Sequence, residues 1–139
     1  MGINIKVIRG AEIETTREDV TALFLGDLPD DLIIPAHMSP AETSAAIRER
    51  GGLCFANHPE YRRGNDARYQ QFGNEPPMYA YLAEDPTRVW EFDAYERLNG
   101  MTGGGIMQQL NLAEPKESRR VVQLFDGKTA EVGASDAHF

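Results

Sequence analysis

The sequence predicts an α/β fold built around a parallel sheet, and three observations carry that expectation. Strand-like and helix-like patterns alternate through the second half of the chain. Leu53 to Asn57 is a short, near-continuous apolar run, the pattern of a strand buried on both faces. Residues with metal-ligand chemistry follow strand-like runs: Glu12 after Ile3 to Ile8, His58 after Leu53 to Ala56, and Asp136 with His138 after Thr129 to Gly133.

Taken in order, Ile3 to Ile8 reads as a first strand, with Gly10 as a break before Glu12. Val20 to Leu25, rich in Val, Thr, Leu and Phe, reads as a second strand closed by Gly26-Asp27. Leu28 to Met38 holds two prolines and two acids and reads as loop. Ser39-Pro40-Ala41-Glu42 then gives a helix start: a serine N-cap, proline at the first helical position and the glutamate of a capping box. That helix runs to about Arg50, where Gly51-Gly52 ends it ahead of the Leu53 strand. Tyr61 to Pro77 is a polar excursion, and Met78 to Glu84 a short helix. Val89 to Tyr95 reads as the next strand, ending in the polar cluster Glu96, Arg97, Asn99 and Gly100. Gly103-Gly104-Gly105 is a break and not a phosphate loop, because no Gly-Lys-Ser/Thr follows. Pro115 to Phe125 is a helix with Val121, Val122 and Phe125 on one side, stopped by Gly127, and Thr129 to Gly133 is the last strand.

A length of 139 residues suits a single domain spanning 1–139 with a sizeable core. The net charge of -8 weighs against general attraction to nucleic acid or to an anionic membrane. Cys54 is the single cysteine, so no internal disulfide forms, and its apolar run makes it a core residue. Neither a signal-like segment nor a membrane-length apolar run is present, and the expected location is the cytoplasm.

The strand-end residues carry the chemistry. In parallel α/β sheets the carboxyl ends of the strands open onto one face, so Glu12, His58, Asp136 and His138 can converge without being close in sequence. Carboxylate oxygen mixed with imidazole nitrogen suits zinc, manganese or iron better than calcium. Each residue also has a plain structural reading. His58 is equally a capped strand end, Glu12 and Glu14 are solvated charges on an edge strand, and His37 is a surface ring. Arg62 and Arg63 pair with surface acids or grip a phosphate. Glu96 and Asn99 are hydrogen-bonding neighbours or ligands.

Four strings, in order along nearly the whole chain, resemble the polymerase and histidinol phosphatase (PHP) domain, in particular its small stand-alone phosphoesterases. They are RGAEIETT, SPAETSAAIRERGGLCFANHP, FDAYERLNG and VGASDAH. The resemblance implies part of a distorted (β/α)7 barrel with divalent metals at the carboxyl ends of its strands. Carried over singly, Glu12 matches the family's bridging glutamate, His58 its Ala-His-Pro histidine, and Asp136 and His138 its terminal ligand pair. Such metals, zinc, manganese or iron, activate water or hydroxide for attack on phosphorus. Arg62 or Arg63 would hold the substrate phosphate, and Glu96 and Asn99 would support the ligands. The family's His-x-His and Asp-His motifs are absent, so relative to the family the chain is truncated at its amino end and lacks the first strands of the barrel.

The function implied is hydrolysis of a phosphate mono- or diester, in a small molecule or a nucleotide, with activity of this chain alone in question. The alternative is a catalytically dead PHP-derived module that binds a partner, a complementing chain or its own copies through open strand edges. A third option, an amidohydrolase-like enzyme acting on C-N bonds, fits the Ser135-Asp136 and ERLNG segments less well.

Overall fold

The computed structural model describes residues 8–25, 34–59, 77–99 and 118–134. Within them the chain forms β1 (Gly10–Glu14), β2 (Asp19–Leu23), α1 (Pro40–Glu49), β3 (Leu53–Ala56), α2 (Pro77–Glu84), a 3-10 helix (Pro86–Glu91), β4 (Ala94–Asn99), α3 (Ser118–Phe125) and β5 (Ala130–Ala134). The strands make one sheet in the order β1-β2-β3-β4-β5. Antiparallel pairing joins β1 to β2 and β2 to β3, whereas β3-β4 and β4-β5 are parallel.

This mixed, open sheet replaces the partial (β/α)7 barrel that the sequence suggested. Among the described residues β1 and β5 each pair with one neighbour, so the sheet does not close. The reason lies in the first connection. Thr15 to Glu18 is too short for a parallel crossover, which needs a dozen or more residues, and it therefore turns the chain straight back. Thr15 closes that turn: its N–H donates to the Glu18 carbonyl at 3.2 Å, and its hydroxyl oxygen accepts the Arg17 and Glu18 N–H groups at 3.1 and 3.2 Å.

Two element boundaries and the burial of one strand also differ from expectation. Of the expected first strand, Ile3 to Val7 lie outside the described residues, and Ile8 precedes the strand that does form. Gly10 is the first residue of that strand and not a break, which puts Glu12 in mid-strand. A Cβ on Gly10 would stand 2.7 Å from the Ala22 carbonyl oxygen, so glycine is what lets the hairpin strands approach there. The expected strand from Val89 is a 3-10 helix up to Glu91, because Asp85 caps it by accepting the Thr87 N–H and Pro86 pre-sets its first turn. Finally, β3 is buried on one face only: Cys54 and Ala56 are fully covered, but Leu53 is 40 % exposed. The expected polar excursion up to Pro76, Gly103-Gly104-Gly105 and residues 115–117 lie outside the described residues, as do 28–33 of the expected loop.

α1 forms as its sequence signals dictate. The Ser39 hydroxyl oxygen accepts the Glu42 N–H while the Glu42 carboxylate accepts the Ser39 N–H, completing the capping box. At the other end Gly51 takes φ 74°, a left-handed conformation that costs glycine little. Its N–H then reaches the Arg48 carbonyl and that of Gly52 the Ile47 carbonyl, at 2.9 and 3.0 Å, a Schellman stop. Ser39→Ala should lower stability by about 0.5–2 kcal/mol in urea unfolding. Hydrogen bonds from the Ser39 hydroxyl and N–H hold the Glu42 carboxyl below its usual value. A depressed folded-state pKa stabilises above the unfolded carboxylate range and is lost as pH falls through the folded value. The difference between wild type and Ser39→Ala should therefore shrink on acidification below about pH 4.5, and a difference unchanged at pH 3 would contradict this account.

The register sorts the two faces of the sheet. Ile13 pairs with Val20, Val20 with Ala56, and Ala56 with Tyr95, and all four side chains are buried on one face. Ile47 of α1, Met78, Tyr81 and Leu82 of α2, Val89 of the 3-10 helix and Phe125 of α3 join them in one core. The Tyr95 and Phe125 rings stack at 4.1 Å, fastening α3 to β4. Burial pushes the Cys54 thiol up to about 11, which leaves it an inert core group.

Candidate metal centre

The strand directions bring one set of ends together. β1, β3, β4 and β5 all run the same way, so their carboxyl ends share an edge of the sheet with the amino end of the reversed strand β2. Asp19 at the start of β2 and His58, which follows β3 after Asn57, stand at that edge, and Glu12 reaches them from the middle of β1. Their ligand atoms all lie within 4.8 Å of one another. His58 Nε2 is 3.9 Å from Glu12 Oε1 and 3.8 Å from Asp19 Oδ2.

These separations fit a metal without large rearrangement. Donors at about 2.0–2.2 Å from a tetrahedral zinc stand about 3.4 Å apart, so the two separations from His58 need to contract by about half an ångström, while the carboxylates of Glu12 and Asp19 lie within 4.8 Å of each other. One imidazole and two carboxylates also form a donor set that zinc, manganese and iron accept. Asp19 and His58 are buried, at 6 % exposure each, while Glu12 is exposed, so the group has a protected floor and an open side.

The surroundings hold the donors in place. Asn57 donates its side-chain N–H to Glu12 Oε1 at 2.7 Å, and its backbone N–H reaches the Asp19 carbonyl at 3.3 Å. Glu96, buried on β4, accepts the His58 backbone N–H at 2.8 Å. His58 itself takes φ 22°, an uncommon conformation for a residue with a side chain. Strained backbone of this kind persists when surrounding contacts determine it, and the Glu96 bond is one such contact.

Of the site residues expected from the sequence, Glu12 and His58 are brought together and Glu96 touches the backbone of His58. Asn99 closes β4, where its backbone pairs with Ala134 of β5. Asp136, His138, Arg62 and Arg63 lie outside the described residues; β5 runs toward the shared edge up to Ala134. His37 is exposed in a turn, its N–H donating to the Glu14 carbonyl at 2.7 Å. Asp19 was not anticipated. Carboxyl ends of strands alone pass over it, and only reading Glu14 and Asp19 as partners in a hairpin would have found it.

The fold and this cluster define an open-sheet α/β protein with a candidate metal triad at one sheet edge. No protein-family model matches the chain. Over 55 residues it is 42 % identical to an uncharacterized protein of Methanocaldococcus jannaschii, a stretch that covers 40 % of this chain and 29 % of that protein. Among solved structures it is similar to a two-domain protein from Bacteroides vulgatus containing a predicted PHP-like metal-dependent phosphoesterase. The TM-score is 0.51 at 21 % identity, covering 94 % of this chain and 32 % of the other. The chain thus spans less than a third of either protein, and the structural likeness speaks to fold alone. Among the described residues no helix is long and apolar enough to cross a membrane.

Proposed function

We propose that this chain carries metal-ligating residues of a PHP-type, metal-dependent phosphoesterase that hydrolyses a phosphate mono- or diester in the cytoplasm. The convergence of Glu12, Asp19 and His58 is the observation that supports this reading most strongly. The fold likeness to a protein containing a predicted PHP-like phosphoesterase is consistent with it. In this reading residues 1–139 act as one domain, and Asp136 and His138 join the triad from the strand that runs to the same edge. Arg62 or Arg63 binds the substrate phosphate, and Asn99 supports the ligands.

A divalent ion bound here would lower the pKa of a water molecule and polarise a phosphoryl oxygen. The chain's own contribution is to bind and orient. Glu12 and Asp19 supply negative charge that balances the cation, and Asn57 ties up one lone-pair direction of Glu12 Oε1, fixing how that carboxylate presents itself. Burial of Asp19 and His58 keeps bulk water from competing for the donors on the inner side.

The test is hydrolysis of p-nitrophenyl phosphate and bis(p-nitrophenyl) phosphate by the purified chain with zinc, manganese or iron added. Activity should disappear with EDTA, return with excess metal, and fall in Glu12→Gln and Asp19→Asn. A chain that binds metal but hydrolyses neither ester under any of these metals would contradict the proposal. A second reading, a non-catalytic module that associates through its strand edges, draws on the singly paired β1 and β5. It predicts an inactive oligomer by light scattering, and an active monomer would remove it.

A further inference from the structure

We propose that Asn57 is a positioning residue that holds Glu12 in place before any metal arrives, and so sets how tightly the site binds one. The three candidate ligands are not equally held. Asp19 and His58 are buried, but the Glu12 side chain is 39 % exposed and stands in the middle of β1, which pairs on one side only among the described residues. The first two side-chain torsions of a glutamate have three staggered wells each, about nine rotamers in all, of which a preformed site uses about one. Apparent affinity falls with the fraction of molecules in the competent arrangement. Glu12 is therefore the ligand whose freedom limits the site.

Asn57 removes that freedom. Its side-chain N–H donates to Glu12 Oε1 at 2.7 Å, a short bond of the charge-assisted kind. A carboxylate only accepts, so chemistry fixes which end of the amide faces it. The bond also spans the sheet. β1 and β3 each pair with β2 and not with each other, which sets them about 9–10 Å apart. The Asn57 side chain leaves the end of β3 and meets Glu12 across β2.

The main chain of Asn57 is located without help from that side chain. Its N–H reaches the Asp19 carbonyl at 3.3 Å, next to the pairing of Val20 with Ala56, and the residue is only 8 % exposed. One residue thus touches all three ligands: His58 through the peptide bond, Asp19 through the main chain and Glu12 through the amide. Its neutrality matters as well. A lysine or arginine would hold the carboxylate with a charge that repels a cation, and an aspartate would repel the carboxylate itself. Asparagine donates and leaves the negative charge of Glu12 for the ion. The identity of that ion as a metal rests on the function proposed above; the bond from Asn57 to Glu12 does not.

Proton–nitrogen correlation NMR of the metal-free protein reads the bond at the Asn57 side-chain amide, which is assigned by its loss in Asn57→Ala. In wild type one amide proton should lie well downfield of its partner and exchange slowly with water. Glu12→Ala should return it to the position of a hydrated amide. Zinc affinity, measured by competition with a chromophoric chelator, should fall by up to about tenfold in Asn57→Ala. Asn57→Leu keeps most of the volume without the donor, should show the same loss, and supplies the reading if the alanine variant does not fold.

Two hydrated amide protons in wild type would overturn the proposal even if neither variant folds, as would an unchanged zinc affinity in a folded variant. An affinity loss in Asn57→Ala beside an amide signal that ignores Glu12→Ala would also overturn it, because Asn57 would then act through the backbone alone. The two readings separate. Zinc binding by a wild type whose Asn57 amide is hydrated removes the role of Asn57 and leaves the metal site. A Glu12-dependent amide in a protein that binds no zinc, manganese or iron leaves Glu12 anchored and removes the metal.

Discussion

His58→Ala should cost the protein its metal. Structural zinc sites with four ligands have apparent binding free energies of about 10–16 kcal/mol, or about 2.5–4 kcal/mol per ligand. At about 1.4 kcal/mol per decade, removing the imidazole should weaken zinc binding by about two to three orders of magnitude. The loss should be most severe for zinc, which prefers nitrogen more than manganese does. The measurement is competition with a chromophoric chelator, with circular dichroism confirming that the variant folds. An affinity within a few-fold of wild type would remove His58 from the site, and with it the reason for its uncommon backbone angle and its Glu96 contact.

The largest effect on stability should come from Phe125→Ala. Phe125 is fully buried and stacked on Tyr95, so the substitution removes a large apolar surface, leaves a cavity and breaks the contact that fastens α3 to β4. Phenylalanine-to-alanine changes in cores cost about 3–5 kcal/mol, a large part of the typical total of about 5–15 kcal/mol. Phe125→Leu keeps most of the volume and should cost less than about 1.5 kcal/mol. Trp90→Ala is the control: the ring is 59 % exposed, and its loss should stay near 0.5 kcal/mol or below. Urea unfolding of the three variants gives the ranking, and a Phe125→Ala cost no larger than that of Trp90→Ala would contradict the assigned core.

How much of this was legible in the sequence depended on whether the deciding signal was local. α1 was readable from end to end because Ser39, Pro40, Glu42 and Gly51 each act on their own backbone or within one turn of it. Of Val121, Val122 and Phe125, the apolar side expected of the last helix, Phe125 is buried and Val122 partly buried, and the side chain of Val121 lies outside the description. The Pro86 3-10 helix was not readable, because its cap at Asp85 competes with a run, Val89 to Tyr95, whose composition favours strand. The hairpin was harder still. Its turn, Thr15 to Glu18, contains neither glycine nor proline, and Thr15 closes it with a side-chain hydroxyl that composition does not distinguish.

That one turn explains both the fold correction and the missed candidate ligand. Assuming an all-parallel arrangement directs attention to the carboxyl ends of strands, which finds Glu12 and His58. It passes over Asp19 and Glu18, because they stand at an amino end. Reversing β2 carries that amino end to the same edge, and the carboxylates beside His58 become visible only once the pairing of Glu14 with Asp19 is known.

The most direct test of the metal centre is anomalous X-ray diffraction from crystals of the chain soaked in manganese or zinc. The account predicts a peak within about 2.0–2.3 Å of Glu12 Oε1, Asp19 Oδ2 and His58 Nε2. A peak ligated by other residues, or soaked crystals with no peak at this edge of the sheet, would contradict it.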